Sequence, residues 1–328
     1  MRSELRRTLC LAGTVSGAAG VGACALSQPG TRATGIVEEQ TKVRARVTDA
    51  SGGPVAHDVV VTIFRDPAWR GPHPVAVLGH GRATTPEVNA TLGRVRLSPA
   101  ASWLAGFGFL VAVPTRIGYG VTGGPDIENT GTCARKHYPP AYHAGALQTL
   151  AVLDAMRRRP DASRDRAIVI GQSFGGTIAI AVAAIGPPGV QAAINFAGGG
   201  GGNPQTRPER PCTPDGLRDL FGRYGRTARM PTLWVYSQND RYWGPSLPRE
   251  WFAAFRAAGG RGEFVGLPPF GEDGHRSFTG AQSAWEPHVA RFLQGAGYRR
   301  ARATSGATAV RIPSNRSSAA GSAAGSAA

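Results

Sequence analysis

Ala167-Ile168-Val169-Ile170-Gly171-Gln172-Ser173-Phe174-Gly175-Gly176 decides how the rest of this 328-residue chain is read. Its four leading apolar residues predict a short buried strand, and residues 177–184 predict a helix. Between them, Gly171-Gln172-Ser173-Phe174-Gly175 fits G-x-S-x-G, the pattern of a nucleophile elbow. A serine presented at the top of a sheet sits on a tight strand-to-helix turn that crowds the residues two before and two after it. Only glycine removes the Cβ there, which accounts for Gly171 and Gly175. Backbone N–H groups and the positive end of the helix dipole then face the Ser173 hydroxyl, a setting that favours an oxyanion. In a chain with 46 glycines such a string also arises by chance; the strand before it and the helix after it lift it above chance.

Outward from this stretch, strand-like and helix-like runs alternate. Residues 42–47 and 59–64 read as strands, joined through the turn Ser51-Gly52-Gly53-Pro54 into a hairpin. Strands follow at 74–78, 109–113, 167–170, 192–196, 232–236 and 263–267, and helices at 100–105, 142–158, 177–184, 249–258 and 283–293. This order predicts an α/β, doubly wound, mostly parallel sheet of about eight strands with helices on both faces. A hydrophobic content of 41% is ample for such a core.

The ends read differently. Residues 1–28 resemble an export signal: Arg2, Arg6 and Arg7 precede a stretch of small apolar residues, and Ala23-Cys24-Ala25 resembles a cleavage site. Arg6-Arg7 admits a twin-arginine route and Cys24 a lipid anchor, although Gly22 fits a lipoprotein box poorly. The expected location is therefore periplasmic or secreted. Beyond the start, no window of eighteen strongly apolar residues occurs, which excludes a polytopic membrane protein. Residues 299–328 are Ser/Ala/Gly-rich and are expected to be a disordered tail, leaving 41–298 as the folded domain. Two cysteines remain after the signal, Cys133 and Cys212. In an oxidising compartment they are a disulfide candidate, the alternative being two separate thiols.

The formal charge of +16 invites a nucleic-acid reading, but its distribution opposes it. The signal holds +2 and the tail +5, leaving +9 on the body, where arginines are scattered and the only lysines are Lys42 and Lys136. Gly198 to Gly202 precede Asn203 with no Lys-Ser or Lys-Thr, so they are no phosphate loop; a flexible loop above the sheet is expected. No His, Cys and carboxylate cluster has metal-ligand spacing.

A serine hydroxyl needs a base to take its proton, and the base needs an acid to fix its tautomer. Of seven histidines, only His275 and His288 follow Ser173, and His288 falls inside the last helix pattern. His275, in the polar loop Gly271-Glu272-Asp273-Gly274-His275, is the expected base. Asp240, in the loop directly after the 232–236 strand, is the expected acid; Glu272 and Asp273 compete by proximity, and a turn-capping role for Asp240 is the alternative. For the oxyanion, the expected donors are the backbone N–H groups of Phe174 and Arg82, with Gly81 close behind. His80 is expected to brace that loop through its side chain, and Tyr119, Phe174 and Trp243 are candidate pocket residues.

The His80-Gly81 loop, the Ser173 elbow, the Asp240 loop and Gly274-His275 together resemble the α/β-hydrolase superfamily, and in order are most similar to dienelactone-hydrolase-like serine hydrolases. The resemblance spans residues 41–298. It implies hydrolysis of a carboxylic ester or related acyl bond of a small molecule through an acyl-enzyme, without metal or organic cofactor. Dienelactone hydrolases proper use cysteine where this chain has Ser173, so the lactone substrate does not transfer. A prolyl-oligopeptidase-like peptidase and a non-catalytic binding member of the fold are the rival readings. A lid segment of only about 35 residues between the 192–196 and 232–236 strands has room for one or two helices and implies an open site; a monomer or weak oligomer is expected.

Overall fold

The computed structural model describes residues 35–300. The expected signal at 1–28, the Cys24 anchor and the tail from 301 onward lie outside the described residues. Strand β1 (Val37–Thr48) pairs with β2 (Pro54–Arg65) as the expected antiparallel hairpin. Six more strands complete the sheet: β3 (His73–Gly79), β4 (Leu110–Thr115), β5 (Ala162–Gln172), β6 (Val190–Phe196), β7 (Thr232–Ser237) and β8 (Gly262–Leu267). Their order is β1-β2-β4-β3-β5-β6-β7-β8, parallel from β4 to β8. The eight-stranded, doubly wound α/β architecture read from the sequence is the one observed.

Alternation along the strands divides the core in two. In β3, Val75 and Val77 join one cluster while Ala76 and Leu78 join the other. Continuous apolar runs are what a sheet covered on both faces requires. Helices α3 (Tyr138–Arg157), α4 (Phe174–Ile185), α5 (Pro214–Thr227) and α6 (Leu247–Ala257) supply the first cluster, with Leu153, Ile180, Phe221 and Trp251 at its centre. Helices α2 (Ser98–Ala105) and α8 (Gln282–Gly295) supply the second, through Trp103 and Trp285. Short helices α1 (Pro86–Ala90) and α7 (Ser277–Gly280) complete the set.

Several boundaries differ from the pattern. Helix α3 starts at Tyr138 rather than 142, because Pro139 and Pro140 fall in its first turn, where a missing N–H breaks no helical bond. Strand β5 starts five residues before its apolar run, its polar beginning bound to β3 through the pair His73 and Ala162. The segment between β6 and β7 holds one helix, α5. No helix among the described residues is long and apolar enough to cross a membrane.

The register decides where chemistry can occur. Strands β3 and β5 run parallel with Gly79 opposite Gly171, so the loop after β3 lies beside the turn after β5. The strand order reverses here, and such switch points are where doubly wound sheets place ligands.

Candidate active site

Ser173 occupies the turn between β5 and α4 with φ 56° and ψ −123°, a left-handed conformation that L-residues avoid. Its N–H donates to Phe196 O at 2.8 Å, tying the turn to the end of β6. The flanking glycines are sterically obligatory. A Cβ on Gly175 would lie 2.6 Å from Gly79 O and 2.5 Å from His80 O, and one on Gly171 would lie 2.7 Å from Gly176 N. The elbow can form only because two backbones touch where side chains would otherwise be.

Asp240 and His275 are brought together from the ends of β7 and β8. Both are buried, and His275 Nδ1 lies 2.9 Å from Asp240 Oδ2. A carboxylate only accepts, so Nδ1 carries the proton and Nε2 of the neutral ring is left as an acceptor. The other carboxylate oxygen, Oδ1, accepts from Tyr242 N at 2.8 Å and Trp243 N at 3.3 Å. The capping role weighed against the acid role is thus also present, on the oxygen that His275 does not use.

Asp273 has another task. Its Oδ1 accepts from His275 N and from Arg241 N, both at 3.0 Å, and so fastens the histidine loop to the Asp240 loop. Glu272 is exposed. His288 lies on α8 and pairs with Arg291. The His275 ring is held by Tyr242, stacked at 3.9 Å between centroids, and by Trp243 edge-on at 5.5 Å.

Ser173 opens into a cleft of about 300 Å³ lined also by Arg82, Phe174, Lys136, Arg207, Tyr242 and Trp243. Two residues of this lining hold His275, and Gln172 Nε2 donates to His275 O at 3.5 Å. Serine and histidine are therefore neighbours, without a direct hydrogen bond between Ser173 Oγ and the ring. Such bonds commonly tighten only in the reacting complex. Among the described residues, the N–H groups of Phe174, Gly81 and Arg82 have no acceptor, leaving all three available to an oxyanion.

The loop after β3 rests on buried charge. His80 Nδ1 donates to Gly81 O at 2.7 Å and its Nε2 accepts from Arg116 N at 3.2 Å, as expected of a bracing residue. Burial, and then the nearby Arg116 charge, push its pKa well below the ordinary histidine value. Arg82 makes a bidentate pair with Asp126 at 2.7 and 2.5 Å. Arg116, Glu128 and Asp126 were not singled out from the sequence. The available signal was a charge three residues beyond the apolar run 109–113, at the carboxyl end where sites form.

Two expectations need correction. Tyr119 is fully buried and does not line the cleft; its hydroxyl donates to Glu128 Oε2 at 2.7 Å, whereas Phe174 and Trp243 do line it. Gly198 to Gly202 form a packed wall, not a flexible loop. Carbonyls of Ala197, Gly198, Gly199 and Gly200 accept from Trp243 Nε1, Tyr236 OH, Tyr142 OH and Tyr138 OH at 2.8, 2.8, 2.9 and 3.3 Å. A Cβ on Gly199 or Gly202 would lie 2.7 Å from the Trp243 ring. Buried carbonyls require donors, and aromatic rings this close leave room only for glycine.

Cys133 and Cys212 form a disulfide across the cleft rim. Among the described residues, no group of three or more His, Cys, Asp or Glu side chains could hold a metal ion.

Residues 92–215 match the dienelactone hydrolase family. No curated protein matches the chain in sequence. Solved structures share its fold at low identity. Acylaminoacyl peptidase of Pyrococcus horikoshii aligns with TM-score 0.54 at 14% identity, over 80% of this chain and 42% of the peptidase. This chain therefore spans less than half of that enzyme. A Pyrococcus furiosus esterase gives 0.51 at 14% identity over 78% and 90% of the two chains. Acetyl xylan esterase 1 of a Thermoanaerobacterium species gives 0.51 at 15% identity over 80% and 88%. The family match covers residues 92–215 and the likeness to solved structures shows the fold, so the chain is similar to dienelactone-hydrolase-like hydrolases and has the α/β-hydrolase fold.

Proposed function

We propose that the chain is an exported serine hydrolase that cleaves carboxylic esters through a Ser173 acyl-enzyme. The observation that carries the reading is a strained Ser173 opening into the same cleft whose walls hold a buried His275, hydrogen-bonded to Asp240. In this reading His275 Nε2 takes the Ser173 proton as Oγ attacks the acyl carbon, and Asp240 holds the ring and stabilises the imidazolium. The carbonyl oxygen, now negative, accepts from Phe174 N–H and Arg82 N–H, with Gly81 N–H adjacent. Collapse expels the alcohol with the proton from His275, and water repeats the sequence to release the acid.

The wall of the cleft suggests the substrate. Among the described residues its lining contains no carboxylate, yet it carries Lys136 and Arg207; Arg82 is matched by Asp126. Lys136 Nζ donates to Thr130 Oγ1 at 3.0 Å and Gly131 O at 2.7 Å. Burial, then the charges of Arg82 and Arg207, hold its pKa below the ordinary lysine value, a cost that a bound anion would relieve. The favoured substrates are small esters with an anionic group. The disulfide supports export, since such bonds persist in oxidising compartments.

The test is labelling of the purified protein with a fluorophosphonate probe, comparing wild type with Ser173→Ala and His275→Ala. Labelling lost in both variants is expected. Labelling that survives Ser173→Ala refutes the nucleophile, and a folded wild type that is never labelled favours a binding role.

A further inference from the structure

The buried ion pair beneath the loop after β3 has no part in the mechanism above. Arg116 and Glu128 are 1% and 0% exposed, and Arg116 Nε donates to Glu128 Oε1 at 2.7 Å and Nη2 to Oε2 at 3.1 Å. Gln148 Nε2 donates to the same Oε1 at 3.1 Å while its own Oε1 accepts from Ile117 N at 2.7 Å. Burial alone would push the Arg116 guanidinium down, but Glu128 and Tyr119 hold it above its ordinary value. Charge placed this deep is costly, and an apolar pair of the same volume would serve stability as well.

What the guanidinium touches on its other side suggests why it is kept. Arg116 Nη1 donates to His80 O at 2.6 Å, and Nη2 approaches Gly81 O at 3.4 Å. His80 Nδ1 donates to that same Gly81 O. In a trans peptide the C=O and the following N–H point in opposite directions. Turning the His80 and Gly81 carbonyls inward therefore turns the N–H groups of Gly81 and Arg82 outward. Gly81 itself lies against Ser173: a Cβ built on it would lie 3.1 Å from Ser173 Cβ and 3.6 Å from its Oγ. The same cation polarises both peptides, making their N–H groups stronger donors.

We infer that Arg116, held by Glu128, is a positioning residue of the oxyanion hole, orienting the Gly81 and Arg82 N–H groups towards the Ser173 reaction centre. The inference rests on the serine hydrolase reading. Arg116 would touch no substrate, and its effect would appear only when a tetrahedral oxyanion forms. Ground-state binding would be little affected, because a planar ester carbonyl places less charge at these donors.

The experiment uses the full chain and an aryl ester that the wild type turns over, with phenylboronic acid as inhibitor, since its tetrahedral adduct on Ser173 places an oxygen in the hole. Two variants are compared. Arg116→Met/Glu128→Gln removes the charge without leaving a lone buried carboxylate. Arg116→Lys keeps a cation opposite Glu128 but cannot bridge both carbonyls and both carboxylate oxygens. We expect kcat to fall about 100-fold in the first and about tenfold in the second, with KM within about threefold of wild type. Boronate affinity should fall in parallel with kcat. Folding of each variant is checked by its thermal transition, and the lysine variant decides the matter if the double variant does not fold. A folded variant with kcat and boronate affinity within about twofold of wild type overturns the inference, as does a loss shared equally by kcat and KM. Failure of the underlying reading shows separately, as a wild type whose boronate or fluorophosphonate reaction does not depend on Ser173.

Discussion

Removing the disulfide tests how far the cleft depends on its rim. Cys133 and Cys212 are 79 residues apart in sequence, so their bond closes a loop of about 80 residues in the unfolded chain. The loop-closure relation gives an entropy loss of about 15 cal/mol/K, or about 4.5 kcal/mol of native-state stabilisation at 25 °C. For a domain of this size that corresponds to a fall in Tm of about 10 °C in the variant Cys133→Ala/Cys212→Ala. Urea unfolding is the direct assay, and the m-value should rise because the unlinked chain exposes more surface. The rim should loosen as well. Cys133, in the turn Cys133–Arg135, and Cys212 both line the cleft, and Cys212 is otherwise held by its N–H to Gly201 O at 2.9 Å and by Tyr138 OH on its carbonyl. KM should therefore rise more than kcat falls. A stability loss below about 1 kcal/mol with an unchanged m-value would refute the chain-entropy argument. Free thiols at both positions in the native protein would remove its basis.

Other consequences follow from single groups. His80 is kept neutral in the fold, so below about pH 6.5 the unfolded chain takes up a proton that the native state refuses. Its contribution is complete above that pH and lost as pH falls, at about 1.4 kcal/mol per unit; thermal unfolding between pH 7.5 and 5 should be less steep in pH for His80→Gln, and equal slopes reject the point. Asp240→Asn should lower kcat by about 10³- to 10⁴-fold, because the amide permits the wrong His275 tautomer. Asp273→Asn, whose amide oxygen can still accept from the His275 and Arg241 N–H groups though without the carboxylate charge, should cost less than about tenfold. Reversal of that order would move the acid to Asp273. Lys136→Met and Arg207→Gln should each lower kcat/KM for carboxylated esters by about tenfold while leaving neutral esters within about twofold, as expected for one charge-assisted contact. A uniform loss across both ester classes would exclude an anion-binding wall.

The local signals in this chain were strong because each rests on covalent or steric chemistry. Apolar runs of strand length, the glycines two before and two after Ser173, and the chain order Ser173, Asp240, His275 need no long-range information to be read. They determined the sheet, the position of the elbow and the three candidate residues of the site. Packing decided what lies between these signals. Gly198 to Gly202 read as a flexible run, since nothing local says that four aromatic side chains from β7, α3 and the turn after Asp240 will bond its carbonyls. Tyr119 read as a pocket residue until Glu128 took its hydroxyl.

Arg116 and Glu128, twelve residues apart, gave no pattern of their own. Their meaning depends on β3 and β4 lying side by side, which puts the guanidinium beneath His80 and Gly81. Sequence by itself determined which residue types could do chemistry and which strand ends would carry them. Tertiary structure alone decided which of them meet, because buried charges and carbonyls find partners across strand ends that only the register of the sheet aligns.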